Sequence, residues 1–552
     1  MRVGNWRQVA IGCLLLWLAQ PRESLHAASA GSTDAFPPLF PQPDLFTHAL
    51  DNSRAQPLGQ RITGVTLPHH LLAVDLIADV FRQLATQHYE RIIILSPDHF
   101  SRSASPAATT RRPFQTALGT VPIDQEAIAA LLSNPLVSTS DLFSQEHGIH
   151  ALLPFVARCF PGVPVIPVAL QINSQPSQWD ELQVTIAPLL TERTLIIQST
   201  DFSHYLDSVE ARKRDQQTLR ALSSGDPALI AALRQPANLD SRAAQYLQLK
   251  LQKEIFHARP NIAANRNSQH YSATPLSKTT SYIVQLYSPE PIPLAGHQRY
   301  FFAGDTFFGR YMLSRLQDSA YRLRLIDDVR RITGGAKLIV NLEGVVLPRC
   351  PARPRWPQLA MPAGTTVSML KALNVIAVSL ANNHSHDFGP VAYRNMKRQL
   401  VRAGITPLDS GQVTEFGNFC LATATDIDNQ GSPRTNRLQE AAMAAWKPDE
   451  SRRPLFAFLH FGEEYRPEPS PRQRALASQV EAHGVELVIG SHPHVAGELD
   501  CGLESCRAWS LGNFIFDQHD PRVSGSVLEI TFFEENTYFL QLHPIGNLYT
   551  ER

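Results

Sequence analysis

Lysine is scarce in this sequence, with 8 residues against 42 arginines in a chain of 552. The skew reads first as a coding bias and only distantly as a functional signal. An excess of either charge is also lacking, because 50 basic residues balance 50 acidic ones. That balance counts against a general nucleic-acid binder or a polybasic membrane binder. The six cysteines cannot build a disulfide framework in a chain this long. No stretch beyond the N-terminus reaches the ~18 uninterrupted apolar residues of a membrane-spanning helix. Proline is plentiful at 41, but glycine is ordinary at 29, so the chain is punctuated by loops and is not collagen-like.

What is present suits a folded, multidomain protein. Hydrophobic residues make up 43% and charged residues 18%, enough to fill buried cores. At ~150 residues per domain, the length suggests three or four domains, or two large ones. The 20 histidines are the most informative residues, because several sit in tight polar constellations.

The first thirty residues read as an address. Arg2 and Arg7 precede the apolar run Val9–Ala19, and Ala28-Ser29-Ala30 supplies a small-x-small cleavage pattern. This is the layout of a secretory signal peptide over 1–30. The expectation is a soluble, extracytoplasmic protein, periplasmic or secreted, or a membrane-anchored one if the segment stays uncleaved. In that setting Cys501 and Cys506 could pair across a short loop, whereas Cys159, Cys350 and Cys420 have no partner visible in the sequence.

Residues 31–60 read as a loop-like entry. From 61 to 288 apolar runs alternate with helical patterns. Leu71–Leu84 and Asp207–Leu222 are helical by spacing, while Arg91–Leu95, Val163–Leu170 and Thr194–Gln198 are strand candidates. Pro289, Pro291 and Pro293 mark a stiff linker over 289–298. A second series follows over 299–552, with strands expected at Arg299–Ala303, Lys337–Asn341, Val375–Leu380, Pro454–Phe461 and Val485–Ile489. The expected fold class is α/β in two domains.

In the second series a polar cluster follows each apolar run. Asp305, Asn341 with Glu343, Asn382-Asn383-His384, His460 and His492-Pro493-His494 all fall just beyond strand candidates. Ligand sites in open α/β sheets lie beyond the carboxyl ends of strands, so clusters far apart in sequence can converge on one crevice. Carboxylate, amide oxygen and imidazole together suit manganese, iron or zinc. Any one cluster alone is an ordinary turn; all five in this order point to a metal site.

The stretches GDTFFGR at 304, NLEG at 341, LANNHSHDFG at 380, LHFGEEY at 459, GSHPHV at 490 and SLGNFIFD at 510 resemble the CapA-like (poly-γ-glutamate capsule) family of the calcineurin-like metallophosphatase superfamily. The resemblance covers 299–520 and implies a four-layer α/β sandwich around a dinuclear centre of divalent ions, which the departure at Phe307 would reduce toward one. It implies Asp305 and His494 as ligands of a first metal, and Asn383, His460 and His492 as ligands of a second. Glu343 stands where the superfamily has a bridging carboxylate. His384 matches the histidine that protonates the leaving group or steadies the phosphate. One departure is Phe307, which occupies the place of a histidine that superfamily phosphatases usually carry. Arg310 is a candidate contact for an anionic substrate, or else a solvated arginine at a helix start.

In the first half, PHH at 68, SPDHF at 96, EHGIHALLPF at 146, STDFSHYL at 199 and TTSYIVQLY at 279 together resemble the Memo family, also called the AmmeMemoRadiSam system protein B family. That family shares the fold of class III extradiol dioxygenases. The resemblance implies a cleft lined by His69, His99 and His204. Asp240 stands where the family places a cysteine, and His70-Leu71 replaces its usual Gly-Tyr. A carboxylate with two histidines can form a facial triad for iron. The alternative is a degenerate pocket kept for folding or partner binding.

Three functions compete. One is an exported metal-dependent phosphoesterase-like hydrolase acting on an anionic small molecule or an envelope or capsular polymer. Another is a non-enzymatic polymer-handling factor with a structural metal. The third is a metal-dependent oxidoreductase activity in the first half. Nucleic acid is not an expected partner, and no membrane span is expected after signal cleavage.

Overall fold

The computed structural model describes residues 35–292, 294, 296–352, 354–428, 438, 443, 446, 453–534, 536–546, 548 and 549, so the signal-like segment 1–30 lies outside the described residues. The chain forms two compact units. One comprises Met1–Ala211 and Ala231–Ile292, the other Arg212–Ile230 and Pro293–Arg552. Both mix helices with sheets, so the α/β expectation holds.

The first unit is built on a nine-stranded sheet. Its centre is four parallel strands in the order Gly64–Leu67, Thr194–Ser199, Arg91–Asp98 and Val165–Gln171. Ile92–Leu95 and Leu195–Ile197 are buried without interruption, the pattern of strands covered on both faces. Thr279–Ser288 extends the sheet antiparallel to Gly64–Leu67. The helix Arg242–Glu254 escaped periodicity reasoning because its buried face carries Gln245, Gln248 and Gln252. Gln245 and Gln252 bond the sheet, with Gln285 Nε2 donating to Gln245 Oε1 at 2.8 Å and Thr63 Oγ1 to Gln252 Oε1 at 2.6 Å, while Gln248 Oε1 is buried without a hydrogen-bond partner.

The segment 31–60 is not wholly loop: Pro43–Asn52 is a helix. Pro43 suits its first turn, where no intrahelical N–H bond is needed. Phe46 and Leu50, four residues apart, share the buried face, and the Phe46 ring meets Phe155 edge-on at 5.4 Å. Two apolar anchors in ten residues are too few for periodicity to stand out.

The second unit stacks two sheets. The first runs Thr406–Leu408, Val375–Ser379, Lys337–Leu342, Gln298–Thr306, Ser526–Phe532, Tyr538–Pro544, with Asn513–Ile515 beside Gln298–Thr306. The second runs Gln412–Phe416, Phe419–Thr425, Leu455–His460, Val485–Ser491, Cys506–Ala508, Leu499–Cys501. Successive side chains on a strand face opposite ways, and that alternation sorts three cores. Phe302, Ile339, Phe456 and Ile489 fill the space between the sheets. Phe301, Val340 and Val378 pack outward under Met312, Leu325, Met369 and Leu400 of four helices. Ala457 and Val488 pack outward under Leu476 and Val480 of the helix Pro471–Ala482. The layers are therefore helix, sheet, sheet, helix. Cys501 and Cys506 form a disulfide across the paired strands Leu499–Cys501 and Cys506–Ala508.

Phe419 is the hub of the inter-sheet core, with ring centroids of Tyr300, Phe416 and Phe456 at 5.0, 5.1 and 5.1 Å. Phe419→Ala should destabilise the second unit by about 3–5 kcal/mol, measured by chemical denaturation of the full chain. A loss below 1 kcal/mol would mean that the sheets do not meet there.

Candidate metal centres

The second unit gathers its polar clusters at the carboxyl ends of parallel strands. Asp305 is the penultimate residue of Gln298–Thr306, in a register shift against the neighbouring strand Lys337–Leu342. Gly304 permits that shift, since a Cβ there would lie 2.0 Å from the Gly512 carbonyl oxygen. Donor atoms of Asp305, Glu343 and His494 lie within 4.8 Å of one another. His460 Nδ1 is 3.8 Å from Asp305 Oδ1, and its Nε2 is 2.9 Å from Asn383 Oδ1. The His492 backbone N–H donates to Asp305 Oδ2 at 3.1 Å, and the His492 ring lies 4.8 Å from that of His460. Asp305, Glu343, Asn383, His460, His492 and His494 thus share one neighbourhood. His492 and His494 have φ of 101° and 58°, an uncommon backbone for residues with a Cβ and one that clusters at functional sites.

The donor set fits a cation. Asp305 and Glu343 are both almost fully buried. Burial, then the charge of Asp305, pushes the Glu343 pKa up to about 7. Burial opposes a charge on His494, but its bond to Asp305, the charges of Glu343 and Asp305 and a bond to Asn513 prevail and raise it to about 9. His492 is driven down to about 3 by burial and by His494. The cluster thus draws positive charge onto the His494 imidazole, and a divalent cation answers the same demand. Glu343 Oε2 and His492 Nδ1 are buried without a hydrogen-bond partner. Such orphaned atoms are rare in native interiors unless a bound group completes them.

Phe307 sits in the apolar core, its ring 5.4 Å from that of Phe516, and contributes no donor. Arg310 bonds Asp517 Oδ1 at 2.5 Å, and its guanidinium lies 5.0 Å from the Phe307 ring centroid. Its charge is therefore tied to the protein's own carboxylate, with its side chain 39% exposed. His384 lies beside the donors: its Nδ1 is 2.9 Å from Asp387 Oδ2 and its Nε2 3.9 Å from Glu343 Oε1. Burial opposes its charge, yet the Asp387 bond and the Glu343 charge raise its pKa.

The first unit places a second cluster in the same kind of position. His69 follows Gly64–Leu67, His99 follows Arg91–Asp98, and Asp201 and His204 follow Thr194–Ser199. The Nε2 atoms of His69, His99 and His204 face Asp240 Oδ2 at 3.3, 3.7 and 4.0 Å. Ligand atoms about 2.1 Å from one tetrahedral ion stand about 3.4 Å apart, so these spacings suit a shared cation. The orienting bonds are also in place. Ser199 Oγ donates to the Gly148 carbonyl at 2.6 Å and so accepts from His69 Nδ1 at 3.1 Å, leaving the His69 Nε2 lone pair free. Glu146 Oε1 holds His99 Nδ1 at 2.6 Å, a carboxylate–histidine arrangement typical of metal ligands. Burial opposes the charge of His99, but Asp240 and Glu146 prevail and raise its pKa to about 10, whereas burial, then His99, takes His147 down to about 4. Asp240 Oδ1 is buried without a hydrogen-bond partner.

Some participants carry no site role that the sequence alone assigns. The His147 ring lies tilted against that of His99 with centroids 4.0 Å apart, and His69, His99 and His147 could share one ion. Glu146, His147, Asp201, Asp387 and Asn513 all lie inside the motifs read from the sequence, but motif membership does not tell which side chain turns inward. Asn341 Nδ2 bonds Asp305 Oδ1 at 2.8 Å, and Asn513 Oδ1 meets His494 Nδ1 at 2.8 Å.

A four-layer sandwich with this crown of carboxylate, amide and imidazole donors defines the second unit as metallophosphatase-like. The family model for the bacterial capsule synthesis protein PGA_cap matches 299–415 and 422–518, and the model for Memo-like proteins matches 44–284. The chain thus joins a Memo-like domain to a PGA_cap domain. It is similar to a MEMO1 family protein of Thermotoga sp. (strain RQ2), 31% identical over 143 residues, covering 25% of this chain and 51% of the relative. A MEMO1 family protein of Methanopyrus kandleri is 31% identical over 176 residues, covering 30% and 62%. The capsule biosynthesis protein CapA of Bacillus anthracis is 28% identical over 205 residues, covering 33% and 50%. The chain spans about half the length of the curated relatives it matches.

Glu146→Gln should weaken divalent-metal affinity in the first unit by ~10–100-fold, because it loosens the bond that fixes His99. Equilibrium dialysis with elemental analysis, in an Asp305→Asn background that removes the competing centre, measures this. Unchanged affinity would remove His99 from the ligand set.

Proposed function

We propose that the second unit is a metal-dependent phosphoesterase-like hydrolase acting on an anionic envelope or capsular polymer or a fragment of one. The observation that carries this reading is the position of His384, beside the donor set but outside it. A structural metal site does not need an imidazole held by its own carboxylate and aimed into the crevice.

A divalent ion held by Asp305, Glu343, Asn383, His460, His492 and His494 would supply Lewis acidity toward a phosphoryl group and a water of lowered pKa. The protein's own residues do the rest. Asn341 and the His492 backbone N–H fix the two oxygens of Asp305. Asn513 fixes His494. Asp387 fixes Nδ1 of His384 and leaves Nε2 to deliver a proton to a departing oxygen. Phe307 removes one nitrogen from the first metal position, which supports a single working ion.

The polymer assignment rests on likeness to proteins named for capsule biosynthesis. An extracytoplasmic site of action is supported by the Cys501–Cys506 disulfide, since disulfides persist in oxidising compartments. Among the described residues no helix is long and apolar enough to cross a membrane. For the first unit, the convergence of three imidazoles on Asp240 supports a metal-dependent oxidoreductase reading, with iron or manganese favoured by the oxygen and nitrogen donors. The second reading of the PGA_cap domain is a non-enzymatic polymer-handling factor with a structural ion, which the Phe307 departure favours.

His384→Ala should keep the fold and the bound metal while losing ~10²–10⁴-fold of phosphoester hydrolysis. His492→Ala should lose metal and activity together. Both are checked by metal content and by rates on a panel of phosphomono- and phosphodiesters. A His384→Ala enzyme as fast as wild type would end the proton-donor role, and a wild type that binds metal but hydrolyses none of the panel would favour the scaffold reading.

A further inference from the structure

The connection between the paired strands Val345–Leu347 and Ala360–Pro362 starts close after Glu343. From Pro348 to Gln358 it carries Arg349, Arg353, Arg355 and Trp356 and no acidic residue. Arg353 lies outside the described residues. Trp356 is 90% exposed, the most exposed of the large apolar side chains described. Arg349 and Arg355 are exposed, and among the described residues neither has a carboxylate partner.

A single exposed apolar side chain is ordinary. This one stands on an arm whose base is fastened from two sides to residues beside the candidate metal centre. The Leu359 backbone N–H donates to Asp387 Oδ2 at 2.7 Å, the same oxygen that holds His384 Nδ1. Gln358 Nε2 donates to the Asp387 carbonyl at 2.8 Å. The Val345 N–H donates to the Leu359 carbonyl at 2.9 Å. Gly344, next to Glu343, has a φ of +130°, and a Cβ there would lie 3.0 Å from Leu359 Cβ. The arm is thus anchored on the neighbours of Glu343 and on the carboxylate that holds His384.

We propose that this arm docks an acidic polysaccharide that leads to the metal centre. The indole of Trp356 would lie against the C–H face of a sugar ring, and Arg349 and Arg355 would pair with its carboxylate or phosphate groups. A polyanion without rings, such as a polyglutamate, would use the arginines and leave the indole in water. A lipid surface gives no reason for the arm's base to be tied to the residue that holds His384. The substrate class deepens the hydrolase reading and rests on it for what becomes of the docked chain.

The test is affinity electrophoresis of the full-length protein through gels containing polygalacturonate, dextran or poly-L-glutamate, alongside co-sedimentation with phosphatidylglycerol vesicles. Polygalacturonate should retard the wild type and dextran should not. Trp356→Ala and the double variant Arg349→Ala/Arg355→Ala should each weaken that retardation about tenfold, as loss of an interface anchor does, with unchanged thermal melts. The proposal is overturned if polygalacturonate causes no retardation, if dextran retards equally, or if Trp356→Ala binds polygalacturonate like wild type. It is equally overturned if poly-L-glutamate binds more strongly than polygalacturonate, or if vesicles capture the protein through Trp356 with more avidity than the polysaccharide. Retardation is read without turnover. A wild type that is retarded but hydrolyses no phosphoester keeps this inference and removes the hydrolase reading, whereas turnover without retardation does the reverse.

Discussion

Two carboxylates, Asp305 and Glu343, are buried close together at the ends of strands in the second unit, and the surrounding architecture answers that repulsion. Like charges removed from water are tolerated only when positive charge or hydrogen bonds compensate them. Asn341, the His492 N–H and His494 converge on Asp305 for that reason. Glu343 keeps an oxygen without a hydrogen-bond partner, and its pKa rises. His492 and His494 take their positive φ values on one turn, which brings the His492 backbone N–H and the His494 ring to the same carboxylate.

The first unit solves a related problem with different chemistry. There the acid at the centre is Asp240, and imidazoles from three separate strand ends face it. The supporting contacts come from Ser199 and Glu146, which fix ring nitrogens on the far side of His69 and His99. In both units the donors crown the carboxyl ends of parallel strands, where the chain emerges as loops free to vary in sequence while the sheet holds their bases. The Memo-like and PGA_cap domains therefore place sites by one topological rule.

Much of this was legible in advance. Parallel strands buried on both faces must be continuous apolar runs, so Arg91–Asp98, Val165–Gln171, Lys337–Leu342 and Leu455–His460 stood out within a few residues of their observed limits. The helix Arg242–Glu254 did not, because a buried face built on glutamines carries no apolar period. The helix Pro43–Asn52 was hidden for the opposite reason, having only two buried apolar positions.

The sequence by itself determined the element types and the kinds of donor, because strand periodicity and metal-ligand chemistry are local properties of residue type. Only the tertiary structure decided which donors meet. Asp305 and His460 are 155 positions apart, and their approach depends on two sheets packing through Phe302, Phe419 and Phe456. It also decided that Phe307 turns into the core and that Arg310 pairs with Asp517. Side-chain direction at a strand end depends on the register shift at Gly304 and on the neighbouring carbonyl of Gly512, and these are long-range contacts that no local pattern encodes.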